Sequence, residues 1–242
     1  MTRSIAIHCV TRFPHQLLSG NAMLAGMLAH GEQGAFITDD PHAAADWHVV
    51  LSNGYLKHWR DHDRCIWLDR CFYGHHRTSW SIAWLKNGIR QWQRDCPDGR
   101  PLPPMAPWRE DGRALLLVDY EDDPPPVLDA RAKALDAKRR YHPRDKRACP
   151  CQPGLLEDAL AGIAVALGHT TTAMSAAALA GVALVTSDRD AMHAEIAAAP
   201  DEPIRRPDRT QWRRNLSWAN WNEEEVARGD AWAYLLEREL LL

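Results

Sequence analysis

Short apolar runs recur along this chain, each closed by a glycine, a proline or a polar turn. Ser4–Val10 (SIAIHCV) reads as a buried strand, and Gln16–His30 carries small and apolar residues at helical spacing. Gly31 and Gly34 break that helix ahead of a second short strand, Ala35–Thr38. Asp46–Leu51 (DWHVVL) runs into the turn signal Ser52-Asn53-Gly54, and Cys65–Leu68 (CIWL) into Asp69-Arg70. Asp95–Pro107 holds five prolines and one glycine and reads as a linker. Beyond it, Arg113–Tyr120 (RALLLVDY) restarts the rhythm and is followed by Asp122-Asp123-Pro124-Pro125-Pro126. This alternation of strand, turn and helix is that of βαβ units around a parallel sheet, on both sides of a division near residue 110.

The most informative stretch is Leu155–Asp188. It spells a short helix, an apolar strand, the turn His169-Thr170-Thr171-Thr172, a small-residue helix with Ser175 one turn in, Gly181, and a second strand ending at Asp188. A strand that passes through a hydroxyl-rich turn into a helix N-terminus aims free backbone N–H groups and the positive end of the helix dipole at one spot, which suits an anion. His142 and Arg144, at the end of a preceding strand, add donors. Threonine also caps helices well, so the same turn serves structure and phosphate binding alike.

Composition narrows the class. The 242 residues suit one large domain or two small ones, and 45% apolar content is ample for a core. No apolar run approaches the ~20 residues of a membrane span, and MTRSIAIHCVTRF lacks the long apolar core of a secretory signal. Six cysteines without a repeating spacing read as reduced thiols in a cytoplasmic protein, and Cys149-Pro150-Cys151 is too tight for a zinc knuckle. Net charge is only −3, yet Arg131–Arg147 holds eight Lys/Arg and Arg205–Arg214 five Arg, local basic patches that fit phosphate-bearing ligands. Lys57–Arg94 interleaves eight Lys/Arg with Trp59, Trp67, Trp80, Trp84 and Trp92, a mixture that suits either a nucleic-acid backbone with an unstacked base or a surface region over buried tryptophans. Trp212, Trp218, Trp221 and Trp232 near the C-terminus read as core packing, and Asn222 followed by Glu223-Glu224-Glu225 as a helix start.

At these motifs the chain resembles glycosyltransferases of the GT-B architecture, and with them sugar-nucleotide epimerases and capsule-polysaccharide enzymes of the same two-Rossmann build. Tyr141-His142-Pro143-Arg144 resembles a strand end of that group. Leu156-Glu157-Asp158-Ala159-Leu160-Ala161 resembles the short helix before the donor strand, and Gly168–Asp188 the loop and helix that hold the nucleotide diphosphate. Trp67–Gly74 (WLDRCFYG) is similar to a strand end in small, often phage-encoded relatives, with Cys71 where that pattern has glycine. The likeness implies an α/β fold of two Rossmann-like halves with an interdomain cleft. Its parts are an acceptor-binding domain over 1–110, a nucleotide-sugar-binding domain over 111–208 and a helical closing segment over 209–242.

The activity so implied is transfer of a sugar from a nucleotide donor, expected to be a UDP-sugar, and the GT-B resemblance implies that no metal is required. His142, Arg144, His169, Thr170, Thr171, Thr172, Ser175 and Asp188 form the expected donor site. The acceptor hydroxyl needs a base. Asp69, at a strand's carboxyl end where α/β sites assemble, is the first candidate and His15 the second. Arg70, Tyr73, Lys57, Arg60 and Arg64 are expected on the acceptor, taken as a hydroxymethylated pyrimidine in DNA. The alternatives are a glycan or lipid-linked acceptor and a non-catalytic nucleotide- or DNA-binding module.

Overall fold

The computed structural model describes residues 3–51, 64–73, 79–86, 89–119, 123–145, 147–148 and 154–238. Its elements begin with β1 (Ile5–His8), α1 (Pro14–Ala29), β2 (Ala35–Thr38), β3 (Trp47–Leu51), β4 (Cys65–Arg70), β5 (Ser79–Lys86) and β6 (Ile89–Gln91). Next come β7 (Arg113–Val118), α2 (Pro126–Ala134), β8 (Lys138–Tyr141), α3 (Leu156–Ala159), β9 (Ile163–Gly168), α4 (Ala173–Leu179) and β10 (Ala183–Thr186). The chain closes through α5 (Thr210–Ala219), β11 (Asn220–Asn222), α6 (Glu223–Arg228) and α7 (Asp230–Glu237). Two compact units result: Met1–Arg94 with Asn215–Leu242, and Asp95–Arg214.

The first unit is built on a mixed sheet in the order β11-β5-β4-β3-β1-β2, with β6 on β5. From β2 to β4 the pairing is parallel, then β5 and β11 run antiparallel. The apolar runs read from the sequence are these inner strands: WHVVL is buried throughout, as expected of a strand covered on both faces. Helix α1 opens at Pro14, whose missing N–H costs nothing in a first turn, and lays Ala22, Met23 and Met27 against Ile5, Ile7, Val49, Leu51, Ile66 and Leu68. The predicted helix start at Asn222 is a capping box. Its Oδ1 accepts from Glu225 N at 3.0 Å, while Glu225 Oε2 accepts from Asn222 N at 2.9 Å. Two glycines let α1 and α6 close on each other. A Cβ on Gly26 would lie 2.1 Å from the Val226 carbonyl oxygen, and Gly229, which ends α6 at φ 88°, has the His30 ring in the same relation.

Arg3 anchors the first strand to the turn after α1, its Nε donating to both Glu32 carboxylate oxygens at 3.0 Å. These bonds hold the Glu32 carboxyl below the usual carboxylate range, which for a free glutamate is about 4.3. The pair's contribution is complete above that ordinary value and is lost as pH falls through the lower folded one. Glu32→Gln is therefore expected to flatten the decline of stability below about pH 4, as read from urea midpoints across an acid series.

The second unit holds a fully parallel sheet in the order β8-β7-β9-β10. Leu116, Val118, Val165, Leu167 and Val185 meet Leu128 and Ala132 of α2 to form its core. Both units thus present four parallel strands in the order second, first, third, fourth.

Three expectations change. Asp95–Pro107 is not a linker but a strap on the second unit: Ala106 N donates to Leu179 O at 2.8 Å, and Pro103 O accepts from Arg213 Nε at 2.6 Å. Prolines give up their N–H yet keep carbonyls, and arginines reach for those carbonyls. The division accordingly comes at Arg94/Asp95 and inside α5, not near residues 110 and 208. Among the described residues the C-terminal stretch forms three helices and a strand: β11 pairs with β5, and Asn220 Oδ1 accepts from Phe72 N at 2.9 Å.

The tryptophan expectation near the C-terminus holds, with Trp212, Trp221 and Trp232 buried. Cys9, Cys65, Cys71 and Cys96 are buried thiols, and burial pushes that of Cys9 up to about 11. No helix among the described residues is long and apolar enough to cross a membrane.

Candidate functional site

Parallel α/β sheets open a crevice outside the carboxyl ends of their strands, at the point where strand order reverses. In the second unit that point lies between β7 and β9, because the chain leaves β7 for β8 on one side and then returns to β9 on the other. A cavity of about 320 Å³ sits there, lined by Leu117, Val118, Asp119, Asp123, Pro124, Pro125, His169 and Thr170.

The strand ends are tied together by side chains. Thr170 Oγ1 donates to Asp119 Oδ2 at 3.2 Å, linking the exits of β9 and β7. His169 Nδ1 is 3.0 Å from Ser187 Oγ, which fixes the ring against the exit of β10. At the fourth strand, His142 N donates to Val118 O at 3.0 Å, so His142, Asp119, His169 and Ser187 follow one another along a single sheet edge.

The expected donor residues divide. His169 and Thr170 line the cavity, and His142 shares its sheet edge. Thr171 turns its hydroxyl to the backbone, accepting from Ala173 N at 3.3 Å. Thr172 holds the N-cap position of α4 with no side-chain cap, and Ser175 is fully buried with its Oγ unbonded. Asp188 is buried in a turn, its Oδ1 accepting from Asp190 N at 3.0 Å. Arg144 is exposed, with its N donating to His142 Nδ1 at 3.2 Å.

The better-held cation is one the motif reading passed over. Arg147 donates to Asp145 (Nε to Oδ1, 2.9 Å) and to the cavity-lining Asp123 (NH1 to Oδ1, 2.6 Å), with its guanidinium over the Tyr141 ring. Asp119, Asp123, Pro124 and Pro125 were also missed as lining. Their signal was the strand RALLLV breaking at Asp119 and the acidic, proline-rich run behind it.

In the first unit, Asp69 lies at the carboxyl end of β4, half-buried and opposite Ser81 of β5. His15 is exposed on the first turn of α1, stacked on Phe13 at 5.9 Å. Arg70 pairs with Trp80 across the ladder, Tyr73 is partly buried and Arg64 is exposed. Lys57, Arg60 and Trp59 lie outside the described residues. Among the described residues, Trp67, Trp80 and Trp92 do not form a stacking face. Trp67, Trp80 and Trp92 are buried, with Trp67 edge-on to Trp92 at 6.0 Å, because the segment forms the antiparallel strands β5 and β6 and turns its rings inward.

One further polar feature of this unit was not legible. His8 and His48 are buried side by side, with His8 Nε2 2.9 Å from His48 Nδ1 and His8 Nδ1 3.1 Å from the Asp40 carbonyl oxygen. A carbonyl only accepts, so in the neutral ring His8 carries its proton on Nδ1, and its Nε2 accepts from His48.

Among the described residues no group of three or more His, Cys, Asp or Glu is placed to hold a metal ion. No family model matches the chain, and neither a curated protein nor a solved structure is significantly similar to it.

Proposed function

We propose that the chain is a nucleotide-sugar-dependent glycosyltransferase of the GT-B type, with the donor in the second unit and the acceptor on the first. The carrying observation is the cavity at the β7/β9 strand ends with His169 and Thr170 in its wall. The shared strand order of the two sheets supports a build from two Rossmann-like halves. In this reading His142, His169 and the basic loop after β8 stabilise the departing nucleoside diphosphate, and hydrogen-bond donors fixed in advance serve that purpose best. Asp69 takes the proton of the acceptor hydroxyl.

The acceptor in this reading is a hydroxymethylated pyrimidine in DNA. The burial of Trp67, Trp80 and Trp92 favours a second reading of that half, a glycan acceptor, because the rings are withdrawn from base stacking. Salt separates the two: DNA binding weakens steeply as salt rises through counterion release, and binding of a neutral glycan does not.

Calorimetric titration of a sugar-nucleotide panel tests the donor site. At least one donor is expected to bind, and His169→Ala to weaken it by about 0.5–1.5 kcal/mol, the net worth of a hydrogen bond. Equal affinity in the variant, or no binding by any donor, contradicts the assignment.

A further inference from the structure

The exit of β10 holds His169 at two points. Thr186 Oγ1 donates to the His169 carbonyl oxygen at 3.5 Å, and the hydroxyl of the next residue, Ser187, lies 3.0 Å from His169 Nδ1. Thr186 is the last residue of β10 and pairs with Gly168, so Ser187 and His169 leave the sheet side by side. The turn that carries Ser187 is itself tied down. Asp188 N donates to Thr186 Oγ1 at 3.1 Å, and Asp190 N to Asp188 Oδ1 at 3.0 Å.

A neutral imidazole carries one proton, and the nitrogen without it accepts. The Ser187–His169 contact therefore fits two arrangements. With the proton on Nδ1, Ser187 would accept it, and its own half-buried O–H would have no acceptor among the described residues. With the O–H donating to Nδ1, the hydroxyl's one donor is used and the imidazole proton stands on Nε2. A donor left unpaired away from bulk water is costly, which favours the second arrangement. His169 lines the cavity and Ser187 does not, so Nε2 is the ring nitrogen left to a ligand.

We infer that Ser187 is the positioning residue for His169: its hydroxyl fixes the tautomer with the proton on Nε2, so that the ring offers the nucleoside diphosphate a neutral N–H and no base. This rests on the donor assignment above and adds to it the residue that sets how the histidine acts. An N–H fixed in advance stabilises charge developing on a departing diphosphate oxygen without reorientation. The same tautomer bars His169 from deprotonating the acceptor, because its one basic nitrogen is occupied by Ser187.

Nitrogen NMR on the full chain with isotope-labelled histidine reads the tautomer, and His169→Ala identifies the ring's signals among those of the 12 histidines. The wild type is expected to carry the proton on Nε2. Ser187→Ala is expected to lose that preference, and Ser187→Thr, which keeps the hydroxyl, to restore it. Calorimetry with UDP, GDP, ADP and CDP supplies the second arm. For the diphosphate that binds, Ser187→Ala is expected to weaken affinity about two- to tenfold, the range for one hydrogen bond. Added to His169→Ala, it is expected to weaken affinity no further, since the two residues act as a unit. Should Ser187→Ala not fold, Ser187→Cys replaces it in both arms, its thiol being a weak donor. A proton on Nδ1 in the wild type overturns the inference and leaves the donor site standing. So does a tautomer or an affinity unchanged in the folded variant, or a loss of affinity that persists undiminished beside His169→Ala. Binding of no diphosphate by the wild type overturns the donor assignment, and the inference with it.

Discussion

Asp69→Asn is expected to lower the turnover of sugar transfer by about 10²–10⁴ while leaving nucleotide affinity unchanged. The substitution keeps the shape of the side chain and removes its capacity to take a proton. Asp69 sits at the carboxyl end of β4, the last parallel strand before β5 reverses direction, and its register partner is the small Ser81. A merely structural Asp69 would show itself differently. The variant would melt earlier, and what remained folded would turn over normally. Steady-state kinetics read beside calorimetry of the donor separate the two, and near-normal turnover moves the base to His15 or elsewhere.

Gly26→Val is expected to destabilise the first unit by about 3 kcal/mol, the upper end for overpacking. The added Cβ would stand 2.1 Å from the Val226 carbonyl oxygen and 2.9 Å from the Gly229 Cα. Both are backbone atoms, so neither can swing aside as a side-chain tip would. Relief requires α1 to lift from α6, uncovering Met23 and Met27 on the same helix. The urea midpoint of the variant reads this directly. A control, Gly31→Ala, is expected to cost less, because nothing lies within 4 Å of a Cβ there and only its φ of 83° resists the change.

Much of the fold was legible because periodicity and punctuation agreed. SIAIHCV, DWHVVL, CIWL and RALLLV each became a parallel strand, and the stretch from Leu155 to Asp188 folds in the order it reads: α3, β9, the threonine turn, α4, β10. Such strands are buried on both faces, so their apolar runs are continuous and bounded by turns. The antiparallel part escaped for the opposite reason. SWSIAWLK mixes tryptophan with serine and lysine, and without a partner strand in view its rings suit base stacking and buried packing alike. β11 is only Asn220–Asn222, and three polar-flanked residues carry no periodicity. The strap at 95–107 misled because proline density marks irregular backbone equally well in a linker and in a packed segment. What distinguishes them is where the carbonyls go, and here they accept from Arg209 and Arg213 of distant sequence.

For the site, the strand ends were legible in the sequence, while the placement of side chains around them was not. His169 and Thr170 line the cavity, yet Arg144 points its exposed position to solvent while Arg147, three residues on, is the cation tied to the rim. The spacing of charges within a loop does not say which one folds back. Asp119 was hidden as the first residue past a strand, where a carboxylate has no motif to announce it.

The most direct measurement incubates the full chain with hydroxymethylated DNA, unmodified DNA and a glycan panel, each with a set of sugar nucleotides, followed by digestion of the DNA to nucleosides and mass spectrometry of all products. The account predicts one added sugar on the hydroxymethylpyrimidine nucleoside, dependent on a nucleotide-sugar donor and absent with Asp69→Asn. Transfer to a glycan alone would replace the acceptor and keep the donor site. No consumption of any sugar nucleotide, with any acceptor, would contradict the account.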